Sequence, residues 1–191
     1  MSQTGVIPVQ GLRDLIARGC ITASPAIVDA QIQPASLDLR LGHVAYRVRA
    51  SFLVGKDRRA ADRIAEFEMH RIDLTTGAVL EKGCVYVIPL MESLALPAGI
   101  TAVANAKSST GRLDLLTRAI TDGGTEFDRI PDGYHGPLYA EVCPKSFSVL
   151  VRAGQRLNQI RFRHGQAVLS DAELTALNAS EPLVSGAALI S

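Results

Sequence analysis

The chain has 191 residues, 47% of them hydrophobic, 20% charged and 5% aromatic, with no Trp. That length is enough for one globular domain with a sizeable core. Twenty Lys and Arg against nineteen Asp and Glu leave a formal charge of +1, which disfavours bulk nucleic-acid binding and requires any polyanion to be held by a local cluster of donors. The apolar runs, such as 85–90, are far short of a membrane span, and residues 1–8 lack the basic-then-apolar order of a signal peptide. A soluble cytoplasmic protein with no nucleic-acid or membrane partner is therefore expected. Cys20, Cys84 and Cys143 lie far apart with no Cys-x-x-Cys pair, and His43, His70, His135 and His164 are equally scattered. Three reduced thiols and no zinc are expected.

In chain order, residues 9–18 carry Leu12, Leu15 and Ile16 at helical spacing and stop at Gly19, which predicts a short amphipathic helix slightly weakened by Gly11. From Ile32 the period changes. Leu37, Leu39 and Leu41 alternate with Asp38 and Arg40, so a strand is predicted with apolar residues on one face and a charge pair on the other. Residues 56–66 are charged and rich in Ala, a helix or mobile insert whose Lys56-Asp57-Arg58-Arg59 run reads as a solvated face.

After Arg71 come short β-type runs at 85–88, 100–104, 138–142, 148–152 and 159–162, punctuated by Gly and Pro. This pattern predicts a mainly β fold, an antiparallel β-barrel or jelly-roll-like sandwich with short peripheral helices. Ser170 and Glu173 form a capping-box pattern before a last short helix. The simplest partition is one β domain over 1–168, then a helix and linker over 169–191. The ending Ala188-Leu189-Ile190-Ser191 reads as cut off.

Two segments carry candidate chemistry. Lys107-Ser108-Ser109-Thr110-Gly111-Arg112 offers three hydroxyls, one glycine and a cation at each end. Such a loop can cradle phosphate oxygens, although its composition suits a plain turn equally well. The second segment runs from Asp128-Arg129-Ile130-Pro131-Asp132-Gly133 into Leu138-Tyr139-Ala140-Glu141-Val142, a turn followed by a strand. Glu141, set between Ala140 and Val142, either points to solvent or sits in a pocket as a general acid and base. Gln159 in an otherwise apolar strand either makes an inter-strand hydrogen bond or reaches a ligand, and Arg152, Arg156, Arg161 and Arg163 read as surface or interface charges.

The run Gln33-Pro34-Ala35-Ser36-Leu37-Asp38-Leu39-Arg40-Leu41-Gly42, the 107–112 loop and the 129–141 turn and strand stand in the order and approximate spacing seen in dCTP deaminases. The chain thus resembles that family, of the dUTPase-like superfamily, from the first helix to about Gly165. The match extends to the strand beginning Gly154-Gln155-Arg156. The resemblance implies hydrolytic deamination of dCTP to dUTP. Glu141 would be general base and proton shuttle, with Ser108, Arg112 and Arg129 as further catalytic residues. Lys107, Ser108, Ser109, Thr110, Gly111 and Arg112 would lie along the triphosphate, and Tyr139, Ala140, Asp132 and Gln159 would complete the substrate contacts. It also implies Mg²⁺ carried by the triphosphate and a homotrimer or pseudo-trimer with active sites shared between subunits. The His-x-Glu and Pro-Cys-x-x-Cys pattern of zinc deaminases is missing.

Three departures from the family pattern stand out. Ile130-Pro131-Asp132-Gly133 replaces Ile-Asp-Pro-Gly, 113–127 is a longer loop than in short members, and no tail with Tyr, Lys and Gln follows Gly165. The last two resemble the N-terminal half of the long tandem form. The alternatives are a dUTP diphosphatase, a bifunctional enzyme making dUMP, and a non-catalytic nucleotide-binding trimer module.

Overall fold

The computed structural model describes residues 4–165 and 168–182. Its elements are β1 (Gly5–Val6), α1 (Val9–Ala17), β2 (Ile21–Ala23), a 3-10 turn at Asp29–Gln31, β3 (Leu37–Arg40), β4 (Val44–Val48), α2 (Ala60–Phe67), β5 (Glu68–Asp73) and β6 (Ala78–Leu80). There follow β7 (Val85–Ala95), β8 (Ile100–Ala106), α3 (Ser108–Arg112), β9 (Leu115–Thr121), β10 (Arg129–Ile130), β11 (His135–Pro144), β12 (Val149–Val151), β13 (Arg156–His164) and α4 (Asp171–Ser180). The fold is mainly β, as the alternating runs predict, and every paired strand is antiparallel. Among the described residues no helix is long and apolar enough to cross a membrane.

Two sheets hold most of the strands. The larger runs β5-β4-β7-β11-β9 with β2 beside the far end of β7, and the smaller runs β1-β13-β8-β10 with β3 also along β13. Strands β6 and β12 form a separate ribbon. Ile88, Leu138, Ala140 and Val142 of the larger sheet and Ala102, Ala104, Ile160 and Phe162 of the smaller one meet in the main core. The other face of the larger sheet is also buried. Val87, Ile120 and Tyr139 pack there against Phe52, Val54, Ala60 and Ile64, which come from the chain between β4 and β5. Burying side chains of that size stabilises by about 1.5–3 kcal/mol each, so the 56–66 segment is part of a second core.

Helix α1 forms where its spacing predicts, but Gly11 has a packing reason. A Cβ at that position would lie 2.6 Å from Ile7 Cγ2. The capping box of α4 is present, Ser170 Oγ accepting from Glu173 N and Glu173 Oε2 accepting from Ser170 N. The 183–191 ending lies outside the described residues.

Two expectations need correction. First, Asp38 and Arg40 do not pair, and the β3 face they share is not solvated. Asp38 is 1% and Arg40 7% exposed, because residues 25–31 cross over that face. Arg40 instead donates through its backbone N and Nε to the two oxygens of fully buried Glu92 on β7, 2.8 Å each, while Gln31 Nε2 donates to Glu92 Oε1 at 2.9 Å. Asp38 pairs with Lys107 and lies 3.6 Å from Arg156, which is therefore not a plain surface charge. Second, the 113–127 stretch is not a long loop, since seven of its residues form β9 alongside β11. Residues 107–112 form a helical turn, α3, in which the amides of Thr110 and Gly111 donate to the Lys107 carbonyl.

The buried Arg40–Glu92 pair joins β3 to β7, and removing one partner strands a buried charge. Arg40→Met is expected to lower unfolding free energy by about 3–5 kcal/mol, read from urea denaturation.

Candidate active site

Strand β11 alternates between the two cores. Leu138, Ala140 and Val142 face the main one, so Tyr139 and Glu141 face the covered outer side of the sheet. Glu141 is 1% exposed, so it does not point to solvent. Its cross-strand neighbours are Val87 on β7 and Arg118 on β9. Arg118 Nε and Nη2 donate to the same carboxylate oxygen, Oε1, at 3.1 and 2.5 Å. Oε2 is buried and accepts no hydrogen bond from the protein. Arg118 Cζ also stands 3.7 Å above the Phe127 ring, and Nη2 donates to Ser51 Oγ at 3.1 Å.

Residues 49–67 are strapped over this face by their backbone. Gly55 N donates to Gly124 O, Gly123 N to Arg58 O and Ala60 N to Asp122 Oδ1, at 2.7–2.9 Å. Gly55 and Gly123 have φ of 86° and 68°, which suits residues without a Cβ. Burial pushes the Tyr139 phenol up to about 12, with Asp122 adding to the rise, so the phenol is neutral over the physiological range. Burial likewise pushes the Asp128 carboxyl above its ordinary value; Glu141 adds to that, while the Ala119 amide and Arg118 oppose it. Asp128 Oδ1 accepts from Ala119 N at 2.7 Å, and its φ is 63°.

The remaining predicted residues lie elsewhere. Ser108, Ser109, Gly111 and Arg112 are exposed on α3, whereas Thr110 is buried and donates from its hydroxyl to Leu157 O at 2.9 Å. Lys107 is held by Asp38. Arg129 is exposed, pairs with Glu126 at 3.2 Å, and lines a cleft of about 300 Å³ with Gly124, Thr101 and Arg163. Asp132 Oδ1 accepts from Gly99 N at 2.6 Å, and Gln159 Oε1 accepts from Ser36 Oγ at 3.2 Å, the inter-strand bond that was one of its two readings. No hydrogen bond or ion pair between described side chains joins Glu141 to 107–112 or to Arg129. Sequence reasoning missed Arg118, Ser51 and Phe127. Only the pairing of β9 with β11 sets Arg118 opposite Glu141, and the one signal was a lone cation in an apolar, threonine-rich run.

The family model for the 2'-deoxycytidine 5'-triphosphate deaminase (DCD) N-terminal domain matches residues 3–166. The chain belongs to this family. The crystal structure of 2'-deoxycytidine 5'-triphosphate deaminase from Agrobacterium tumefaciens is 52% identical and superposes with a TM-score of 0.89 over 96% of this chain. The present chain spans 55% of the length of that one. A dCTP deaminase of Haloarcula marismortui is 28% identical over 136 residues, 70% of this chain and 67% of its own. A dUMP-forming dCTP deaminase of Sulfurihydrogenibium sp. is 27% identical over 154 residues, 79% of each chain.

For this family member the Asp128 shift has a pH consequence. A carboxyl whose pKa is raised by folding favours the fold while protonated and loses that contribution as pH rises from about 4 through its folded value. Asp128→Asn keeps an oxygen for the Ala119 amide and tolerates positive φ. The variant is expected to match or exceed the parent in stability at pH 7 and to show a flatter stability profile above pH ~4, measured by denaturation across pH.

Proposed function

We propose that this chain hydrolyses the exocyclic C–N bond of dCTP, giving dUTP and ammonia, with Glu141 as general base and proton carrier. The observation that carries this reading is a carboxylate buried in the middle of β11 with one oxygen held by Arg118 and the other unpartnered, in a chain of the deaminase family. Glu141 takes a proton from water as the water oxygen bonds to C4 of cytosine, and passes that proton to N3. It then carries the hydroxyl proton to the amino group. The C4–N bond breaks, ammonia leaves and C4 keeps a carbonyl oxygen. One carboxylate performs both transfers, each worth typically 10²–10⁴-fold in rate.

The exposed Ser108, Ser109 and Arg112 of α3 offer hydroxyl and guanidinium donors to phosphate oxygens and to charge developing at C4. Lys107 adds a cation at the start of the turn, oriented by Asp38. Among the described residues no three His, Cys, Asp or Glu gather as metal ligands; Mg²⁺ would arrive on the triphosphate and would offset its charge beside these donors. Because no hydrogen bond or ion pair among the described residues links α3 to Glu141, the reading brings them together across a subunit interface, in a trimer of this chain or a pseudo-trimer.

Two measurements test this. Ammonia release from dCTP is expected from the parent and to fall by roughly 10²-fold or more in Glu141→Gln; equal rates in both would sink the proposal. Glu141→Gln and Arg112→Ala chains, each inactive alone, are expected to regain activity when co-expressed, because a mixed oligomer contains some sites with both residues intact. No gain on mixing would place the whole site in one subunit. Diphosphate is expected to be absent from the products, since Pro131 stands where the resemblance puts the aspartate of dUTP hydrolysis; its appearance would favour the dUMP-forming reading.

A further inference from the structure

Arg118 is held on three sides, which is unusual for a long side chain that remains 30% exposed. It lies flat on Phe127 at 3.7 Å, donates from Nη2 to Ser51 of the covering segment at 3.1 Å, and sends Nε–H and the other Nη2–H to one oxygen of Glu141. Two N–H groups converging on Oε1 hold that oxygen in place, and Oε2 is left with its lone pairs unused. A guanidinium does not give up its proton at any working pH, so Arg118 cannot compete for the proton that Glu141 carries. Its bond to Oε1 persists when Oε2 is protonated, because Oε1 then becomes the carbonyl oxygen of the acid. The base therefore keeps the same anchored oxygen throughout a cycle in which its charge changes twice.

We infer that Arg118 is the positioning residue of the reaction, assigning Oε1 of Glu141 to structure and Oε2 to proton transfer. This rests on the reading of Glu141 as the base. The rival role on the same contacts is a plug that must leave before substrate enters. The two roles predict opposite signs. A positioning residue lowers kcat when removed and leaves KM for dCTP within about threefold, whereas a plug raises kcat or lowers KM.

The experiment measures ammonia release by the full 191-residue chain carrying Arg118→Ala, Arg118→Lys or Glu141→Gln, with thermal melts of each. Arg118→Ala is expected to lose roughly 100-fold in kcat, the scale of an ångström-level misplacement of a reacting group. Arg118→Lys supplies a point charge without the planar fork, so it should melt like the parent yet remain well below it in kcat. Added guanidinium ion at millimolar concentration is expected to restore part of the rate of Arg118→Ala and none of that of Glu141→Gln, an effect that a purely structural role would not produce. Ammonia release from the parent with undiminished kcat in both Arg118 variants overturns this inference alone. Rate loss that only follows melting, without guanidinium rescue, overturns it too. Undiminished release by Glu141→Gln, or none from the parent, overturns the functional reading and this inference with it.

Discussion

A carboxylate in the middle of a buried β-strand must be compensated, and the rest of the structure around the candidate site follows from how this is done. Glu141 has strand neighbours on both sides and a second hydrophobic layer above it. An unpaired charge there would cost several kcal/mol. Arg118, directly opposite on β9, supplies the partner. Arg118 in turn needs support, which Phe127 and Ser51 give. The covering segment and the turn at 122–128 are thus tied to the ionic requirement of one glutamate.

The same molecule contains a second buried ion pair with a different outcome. Both oxygens of Glu92 are occupied, by Arg40 and Gln31, and Arg40 spends its outer nitrogens on the carbonyls of Pro25 and Ala26. That network is closed, and it joins the two sheets through β3 and β7. The pair at Glu141 is open by one oxygen. A saturated network suits a structural clamp, and an unsaturated one suits a group that must accept and release a proton.

The sequence carried much of the fold. The 3.6-residue spacing of Leu12, Leu15 and Ile16 marked α1, the alternation of residues 138–142 marked β11, and the Ser170 and Glu173 pair marked α4. It failed where alternation was taken to mean one wet face. The Asp38 and Arg40 face of β3 is covered by a segment distant along the chain, and charges that look like a solvated pair find partners at Lys107 and Glu92 instead. Nor does local pattern separate a short helix from a ligand loop at 107–112, because serine, threonine and glycine suit both.

By itself the sequence determined the all-antiparallel β character, the order of the motifs and the identity of Glu141 as the residue to explain, since these depend on local period and on residue type. Only the tertiary structure decided that Glu141 is buried and that Arg118 is its partner. Strand register and the packing of 49–67 over the larger sheet join residues tens of positions apart, and no local signal encodes which strands pair or which face is covered. The near-neutral charge is unevenly spread in the same way: within the +1 overall, Arg40 and Lys107 are committed to carboxylates, whereas Arg112 is exposed.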